Sequence, residues 1–300
     1  MRTVTKLMKN WQFTGPDGKT AAVDLPHTWN NIDGQDGGND YKRGSCTYQT
    51  TFAAPAFDAD SQQVWLQFEG VNASAAVTLN GTEVICHDGG YSTFRADITA
   101  LLAEQNTLTV VADNSKNDRV YPQKADFTFY GGIYRDVSLL VGSNNHIALE
   151  YLGSCGVRIT PTVKGSSADI RVQTRVEGEG EVEITVTDAA GSTVLTGTGT
   201  DTTLTMQHPR LWDGVRDPYL YTCVVRLMKD GQPVDEVRQR FGVRSFSVDP
   251  QKGFFLNGRA YPLHGVSRHQ DRKGLGNAIT REMHDEDMQL IKELGANTVR

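Results

Sequence analysis

From residue 20 to residue 260 the chain is built from short apolar runs broken by turns. Val64, Leu66 and Phe68 alternate with Trp65, Gln67 and Glu69, the period of two expected of a strand with two unlike faces. VTLNGTEVI (77–85) sets Asn80-Gly81 between two apolar runs. Both residues tolerate the positive φ that a two-residue hairpin needs. TLTVVAD (107–113) and RDVSLLV (135–141) read as further strands. Strands this short and frequent, with almost no helical period, predict a mainly β fold opening with a jelly-roll sandwich over residues 1–143.

A second run of strands follows: HIALEYL, ADIRVQTRV, EVEITVTD, TTLTM, YLYTCVVRLM and VDEVRQRFGV. They recur about every ten residues, with turns at Ala190-Gly191 and Asp230-Gly231. This predicts an immunoglobulin-like β-sandwich over 144–243. It lacks the Cys…Trp…Cys spacing of antibody domains, so the expectation concerns architecture alone. After Gly242 the pattern changes again. FFLNGRAYPLHGV predicts a hairpin at Asn257-Gly258 and then a buried strand. Over 280–294, Met283, Leu290, Ile291 and Leu294 fall on one helical face. Thr280 is placed to cap that helix, Glu282, Asp285, Glu286 and Asp287 suit its N-terminal dipole, and Gly295 is placed to end it. ANTVR then opens another strand. Strand, helix, strand predicts the first unit of a parallel (β/α)8 barrel over 244–300, truncated after that start. One such unit cannot bury a core, so the apolar helix face is expected to be stranded.

Bulk properties narrow the function classes. At about 150 residues per domain, 300 residues allow two or three domains. A net charge of −6 argues against nucleic acid, which demands a basic surface. No run of about 18 apolar residues predicts a membrane span and no signal peptide is visible, so a cytoplasmic location is expected. Cys46, Cys86, Cys155 and Cys223 are widely spaced. They are expected to be free, buried or half-buried thiols rather than a zinc site or a disulfide framework.

Three polar clusters are candidates for chemistry. HGVSRHQDRKG (264–274) carries His264, Arg268, His269, Asp271 and Arg272 directly after a predicted strand, where barrel active sites form; a solvated loop is the alternative reading. DFTFYGGIYRD (126–136) sets Asp126 beside Phe127, Phe129, Tyr130 and Tyr134. Aromatic faces stack on sugar rings and carboxylates accept hydrogen bonds from hydroxyls; a core-packed aromatic turn with a turn-stabilising aspartate is the reading that turn preferences alone favour. The Asn/Asp/Gly-rich stretch 30–44 could present oxygens to Ca²⁺ or be a plain flexible loop. The P-loop, dinucleotide, zincin and nucleophile-elbow motifs are absent from the sequence.

In order, these segments resemble glycoside hydrolase family 2, which holds β-galactosidases, β-glucuronidases and β-mannosidases. LPHTWN (25–30) with YKRGSCTYQTTF (41–52) is similar to the start of the family's sugar-binding domain, and GGIYRDVSLL (131–140) to its close. KGFFLNGRAYPLHGVSRHQD (252–271) is similar to the start of the barrel. NTVR (297–300) matches only the first positions of a longer family signature. The resemblance implies that Asp126 and His269 bind substrate, contacting sugar hydroxyls, and that Arg268 and Arg300 support the active site. Arg43 stands near a position where some β-galactosidases carry asparagine.

The resemblance also implies retaining hydrolysis by two glutamates lying beyond residue 300. Glu282, Glu286 and Glu293, on the first barrel helix, are not substitutes for them. The expected function is therefore the N-terminal portion of a β-galactosidase, inactive alone, with RDVSLL and YPLHGVSRHQDRKG closest to that branch. A β-glucuronidase and a stand-alone carbohydrate-binding module are the alternatives. The expected partner is a β-galactoside, with no nucleic acid and no membrane, and family members often form homo-oligomers. No cofactor is required within the chain, and Mg²⁺ or Na⁺ enters by resemblance.

Overall fold

The computed structural model of the chain describes residues 1–35, 42–122, 125–151 and 153–300. Contacts divide it into two compact units. One comprises Thr3–Val141 with Arg268–Leu290, and the other Met1–Arg2, Gly142–Ser267 and Ile291–Arg300.

The first unit holds the jelly roll. Its larger sheet runs in the order Thr20–Val23, Trp11–Thr14, Ser45–Ala53, Gln105–Asp113, Ser74–Leu79, Thr82–Asp88. A four-stranded sheet runs Thr3–Lys6, Val137–Ser143, Gln62–Phe68, Phe94–Asp97. Ser45–Ala53 alternates buried and open positions along its length, as a strand with one core-facing side must. Tyr48, Leu66, Phe68, Leu79, Leu108 and Ile133 are fully buried between the sheets. The Asn80-Gly81 turn forms as expected. Both residues have positive φ, 52° and 82°, and Leu79 pairs with Thr82.

A half-buried histidine packed against Phe13 and Tyr48 at this core is expected to make its stability pH-dependent. His27 Nδ1 lies 2.8 Å from the Tyr48 hydroxyl, and burial lowers its pKa from 6.5 to about 4. The unfolded chain therefore takes up this proton first. Stability from neutral His27 is complete above pH 6.5 and is lost as pH falls through the window down to 4. The full shift corresponds to about 3 kcal/mol. Urea midpoints between pH 7.5 and 4.5 should fall more steeply in the native sequence than in His27→Gln. Parallel curves would refute the assignment.

The second unit is the immunoglobulin-like sandwich. Val157–Lys164, Ser167–Thr174 and Asp201–Gln207 form one sheet. Thr193–Thr198, Glu181–Thr187, Tyr221–Lys229 and Gln232–Phe241 form the other. Ile170, Ile184, Val225 and Leu227 are buried between them. The expected turns are present, with positive φ at Gly191, at Asp230 and Gly231, and at Asn257 and Gly258.

Three expectations are corrected. HIALEYL is not a full strand. Its strand is limited to His146–Ile147, paired with Val176–Glu177, because Ala148 next exchanges hydrogen bonds with Arg175 and Gly156 and the chain turns away, Tyr151 bridging only to Ser154; Leu152 lies outside the described residues. The buried strand expected after Tyr261 is the short Gly265–Val266, which is not buried. Among the described residues its sheet neighbour is the parallel Thr298–Val299 alone, and Leu263 is 52% exposed. The helix runs Arg281–Glu293. It closes with Ala296 N–H to Ile291 O and Gly295 N–H to Lys292 O, with Gly295 at φ 85°, the left-handed stop that glycine favours. None of its residues is buried, and Leu290 and Leu294 are 56% and 74% exposed. All four cysteines are free, and Cys86 is exposed rather than buried. Among the described residues no helix is long and apolar enough to cross a membrane.

Candidate carbohydrate site

The first unit contains a cavity of about 470 Å³. Aromatic rings of Tyr91, Phe127, Tyr130 and Tyr134 share its walls with Glu69, Arg135, Arg268, His269, Gln270 and Asp271. Apolar walls with a few convergent polar groups are the usual make-up of a small-ligand site. A comparable cavity in the other unit, about 530 Å³, is lined by Trp212, Phe246, Phe254, Tyr261 and Leu263, with Arg244 its only charged lining group.

Two irregular segments build the first cavity, and buried side chains hold each in place. The 126–136 segment lacks strand partners along its first half, so its carbonyls need other donors. Asn30 Nδ2 and Asn114 Nδ2 donate to Phe129 O at 3.1 and 3.0 Å, and Asn72 Nδ2 donates to Tyr130 O at 2.5 Å. Asn30 Oδ1 in turn accepts from Gly131 N–H at 2.8 Å. All three asparagines are at most 1% exposed. The paired glycines are steric necessities. A Cβ on Gly131 would sit 2.1 Å from Trp29 Cζ2. One on Gly132, at φ 134°, would sit 2.4 Å from His27 O. GGIYRD thus lets this segment pass beneath LPHTWN.

The 268–278 segment is tied down more heavily. Arg268 Nε donates to Asp287 Oδ2 at 2.9 Å and its Nη2 to His284 Nδ1 at 3.1 Å. Arg272 reaches Asp287 at 2.9 Å and Glu286 at 2.7 Å. The Arg268 and Arg272 bonds hold the Asp287 carboxyl below its usual range. Burial and Arg268 lower the pKa of His284. The helix therefore meets this segment through acidic and histidine side chains, not through its apolar stripe. On the jelly-roll side, Tyr130 OH donates to Asp271 Oδ2 at 3.1 Å, Thr28 Oγ1 to Leu275 O at 3.0 Å and Asn31 Nδ2 to Gly274 O at 2.7 Å.

Of the residues expected from sequence, His269 and Arg268 line the cavity. His269 is exposed, its ring edge-on to Phe127 at 6.3 Å, and its nitrogens have no hydrogen-bond partner among the described residues. Arg268 is engaged by Asp287 and 10% exposed in its side chain. Asp126 is exposed and is not among the lining residues, although its neighbours Phe127 and Thr128 are. Arg300 is exposed and lies in the other unit, where its N–H donates to Val266 O at 2.9 Å. Arg43 lies over the Phe129 ring at 4.9 Å. Residues 36–41 of the Asn/Asp loop lie outside the described residues. Among those described, no group of three or more His, Cys, Asp or Glu could hold a metal ion. Asn30, Asn72, Asn114, Tyr91 and Arg135 were not singled out from sequence. An isolated asparagine that must satisfy a distant loop leaves no periodic signal.

The family models for glycosyl hydrolases family 2 match almost the entire chain: the sugar binding domain over residues 8–142, the central domain over 151–244 and the TIM barrel domain over 248–300. The chain belongs to glycoside hydrolase family 2. It is 39% identical to a β-glucuronidase of Bacteroides fragilis over 98% of this chain and 45% of that protein. It is 30% identical to a β-galactosidase of Bacteroides ovatus, over 97% of this chain and 37% of that one. Among solved structures, an FMN-binding β-glucuronidase from Facaelibacterium prausnitzii superimposes with a TM-score of 0.96 at 39% identity, over 100% of this chain and 48% of that one. The chain thus spans less than half the length of these relatives.

Proposed function

We propose that this chain forms the sugar-binding and immunoglobulin-like parts of a retaining β-glucuronidase that releases terminal β-D-glucuronic acid. The observation that carries the reading is the 39% identity to a β-glucuronidase over nearly the whole chain, against 30% to the Bacteroides ovatus β-galactosidase; a structure described as a putative β-galactosidase from Bacteroides fragilis, also 39% identical, favours a second reading. The likeness of RDVSLL and YPLHGVSRHQDRKG to the galactosidase branch supports β-galactoside hydrolysis as the second reading.

In this reading the glycone enters the cavity beside His269. The imidazole hydrogen-bonds a ring hydroxyl and Arg268 supports the reacting centre. The aromatic wall of Phe127, Tyr130 and Tyr134 shields these bonds from water, which strengthens them. Two glutamates on later barrel strands, about 5–5.5 Å apart as retention requires, act as acid/base and nucleophile. The 300-residue chain by itself is expected to turn over neither sugar.

Kinetics of the complete enzyme on an aryl β-glucuronide and the matching aryl β-galactoside test the assignment. A kcat/KM at least ~100-fold higher for the glucuronide is expected, about 2.7 kcal/mol of discrimination. A preference of that size for the galactoside would replace it with the second reading.

A further inference from the structure

One cation lining the cavity, Arg135, forms no salt bridge among the described residues, and Glu69 and Asp136 act on it only from longer range. Arg135 is half-buried, and burial lowers its pKa. Among the described residues no carboxylate stands within ion-pair distance of its guanidinium. Its partners are neutral acceptors. Nη1 donates to Tyr134 O at 3.0 Å and Asn277 O at 3.1 Å, and Nη2 donates to Gln270 Oε1 at 2.8 Å. The guanidinium carbon lies 4.6 Å from the centre of the Tyr134 ring. Desolvating a cation for neutral acceptors is an expensive way to add stability. What this arrangement supplies is geometry. A planar fork reaches two points of one segment while stacked on a fixed ring.

Those two points matter because of where they lie. Gln270 directly follows His269, and Asn277 closes the same segment. The other ties from the jelly-roll side reach Asp271, Arg272, Gly274 and Leu275. On the helix side Arg268 and Arg272 are held by Asp287. Arg135 itself belongs to the 126–136 segment, which carries Asp126 and Phe127. Tyr134, beneath it, is fixed by its hydroxyl donating to Gly90 O at 2.5 Å.

We propose that Arg135 is a positioning residue that sets His269 for the sugar by holding Gln270 and Asn277 against the Asp126-bearing segment. This rests on the reading of the cavity as a glycoside site. Arg135 acts through His269, so its loss and the loss of His269 are coupled.

A double-mutant cycle in the complete enzyme tests it, with Arg135→Met, His269→Ala and the pair, assayed on whichever aryl glycoside turns over faster. Arg135→Met is expected to lower kcat ~10-fold with a smaller change in KM, a misplacement effect. In the His269→Ala background the same change is expected to cost less than ~2-fold. Arg135→Lys, one ammonium in place of a fork, should recover little. A full 10-fold loss in both backgrounds would overturn the proposal and make Arg135 an independent contributor.

A preference for galactoside would defeat the glucuronide reading yet leave the cycle intact. If neither glycoside is hydrolysed, imidazole proton resonances of the 300-residue chain decide. Arg135→Met should shift or broaden the His269 signal and leave His208, in the other unit, unchanged. An unmoved His269 signal would overturn the proposal.

Discussion

Replacing His269 by alanine in the complete enzyme is expected to lower kcat roughly 100-fold while KM changes only a few-fold. The imidazole lines the cavity, is exposed, and is not committed to any described hydrogen-bond partner. Its nitrogens are therefore available to a ligand, and the segment beneath is held from two sides. That rigidity makes a bond strengthen as the sugar ring distorts, because a fixed donor need not reorganise. An interaction made more strongly in the transition state appears in kcat, whereas uniform binding appears in KM. Steady-state kinetics with the preferred aryl glycoside, together with affinity for the free sugar, separate the two. If the variant loses sugar affinity and kcat/KM by the same factor, His269 binds the ground state equally well and the transition-state role fails.

The parts of this picture legible in the sequence are those with a local cause. Asn80-Gly81, Asp230-Gly231 and Asn257-Gly258 announce their hairpins because positive φ is a property of the residues themselves. The strands of both sandwiches announce themselves through period two. The helix 281–293 was equally visible, yet its contacts were not. The apolar stripe points to a packing surface, whereas Asp287, Glu286 and His284 make the contacts with Arg268 and Arg272. Helical periodicity reports which face is apolar, and charge pairing across a fold has no period to report.

The candidate site divides the same way. His269 stood out as chemistry after a strand, and Asp126 as a carboxylate among aromatics. Asn30, Asn72 and Asn114 hold the Asp126-bearing segment in place and are silent in the sequence. The partners they serve, the carbonyls of Phe129 and Tyr130, are distant along the chain and irregular in backbone. Arg135 was hidden inside GGIYRD, a string whose glycines explain themselves sterically but whose arginine has meaning only once Gln270 and Asn277 arrive beside it.

Asp235→Ala is expected to destabilise the immunoglobulin-like unit by about 3–5 kcal/mol, the cost of leaving a buried charge alone. Asp235 is 0% exposed. Its Oδ2 accepts from Arg2 Nη2 at 2.7 Å and from the Ile147 N–H at 2.7 Å. Arg2 also donates to Ile147 O. One carboxylate thus ties the first residues of the chain and the opening strand of this unit to Gln232–Phe241. Alanine there leaves the buried Ile147 N–H without an acceptor and the guanidinium with the Ile147 carbonyl in place of a counter-charge, and each such loss is costly. Hydrogen exchange of the 300-residue chain in urea locates the effect. Protection should fall in Tyr221–Phe241 and Glu181–Thr187 and stay unchanged in Ser45–Ala53. The control is Arg2→Met with Asp235→Leu, which removes both charges and restores apolar volume. It should return most of the lost stability, because an absent pair carries no desolvation penalty. A double variant as unstable as Asp235→Ala would mean that the Ile147 N–H bond, rather than the ion pair, dominates at this position.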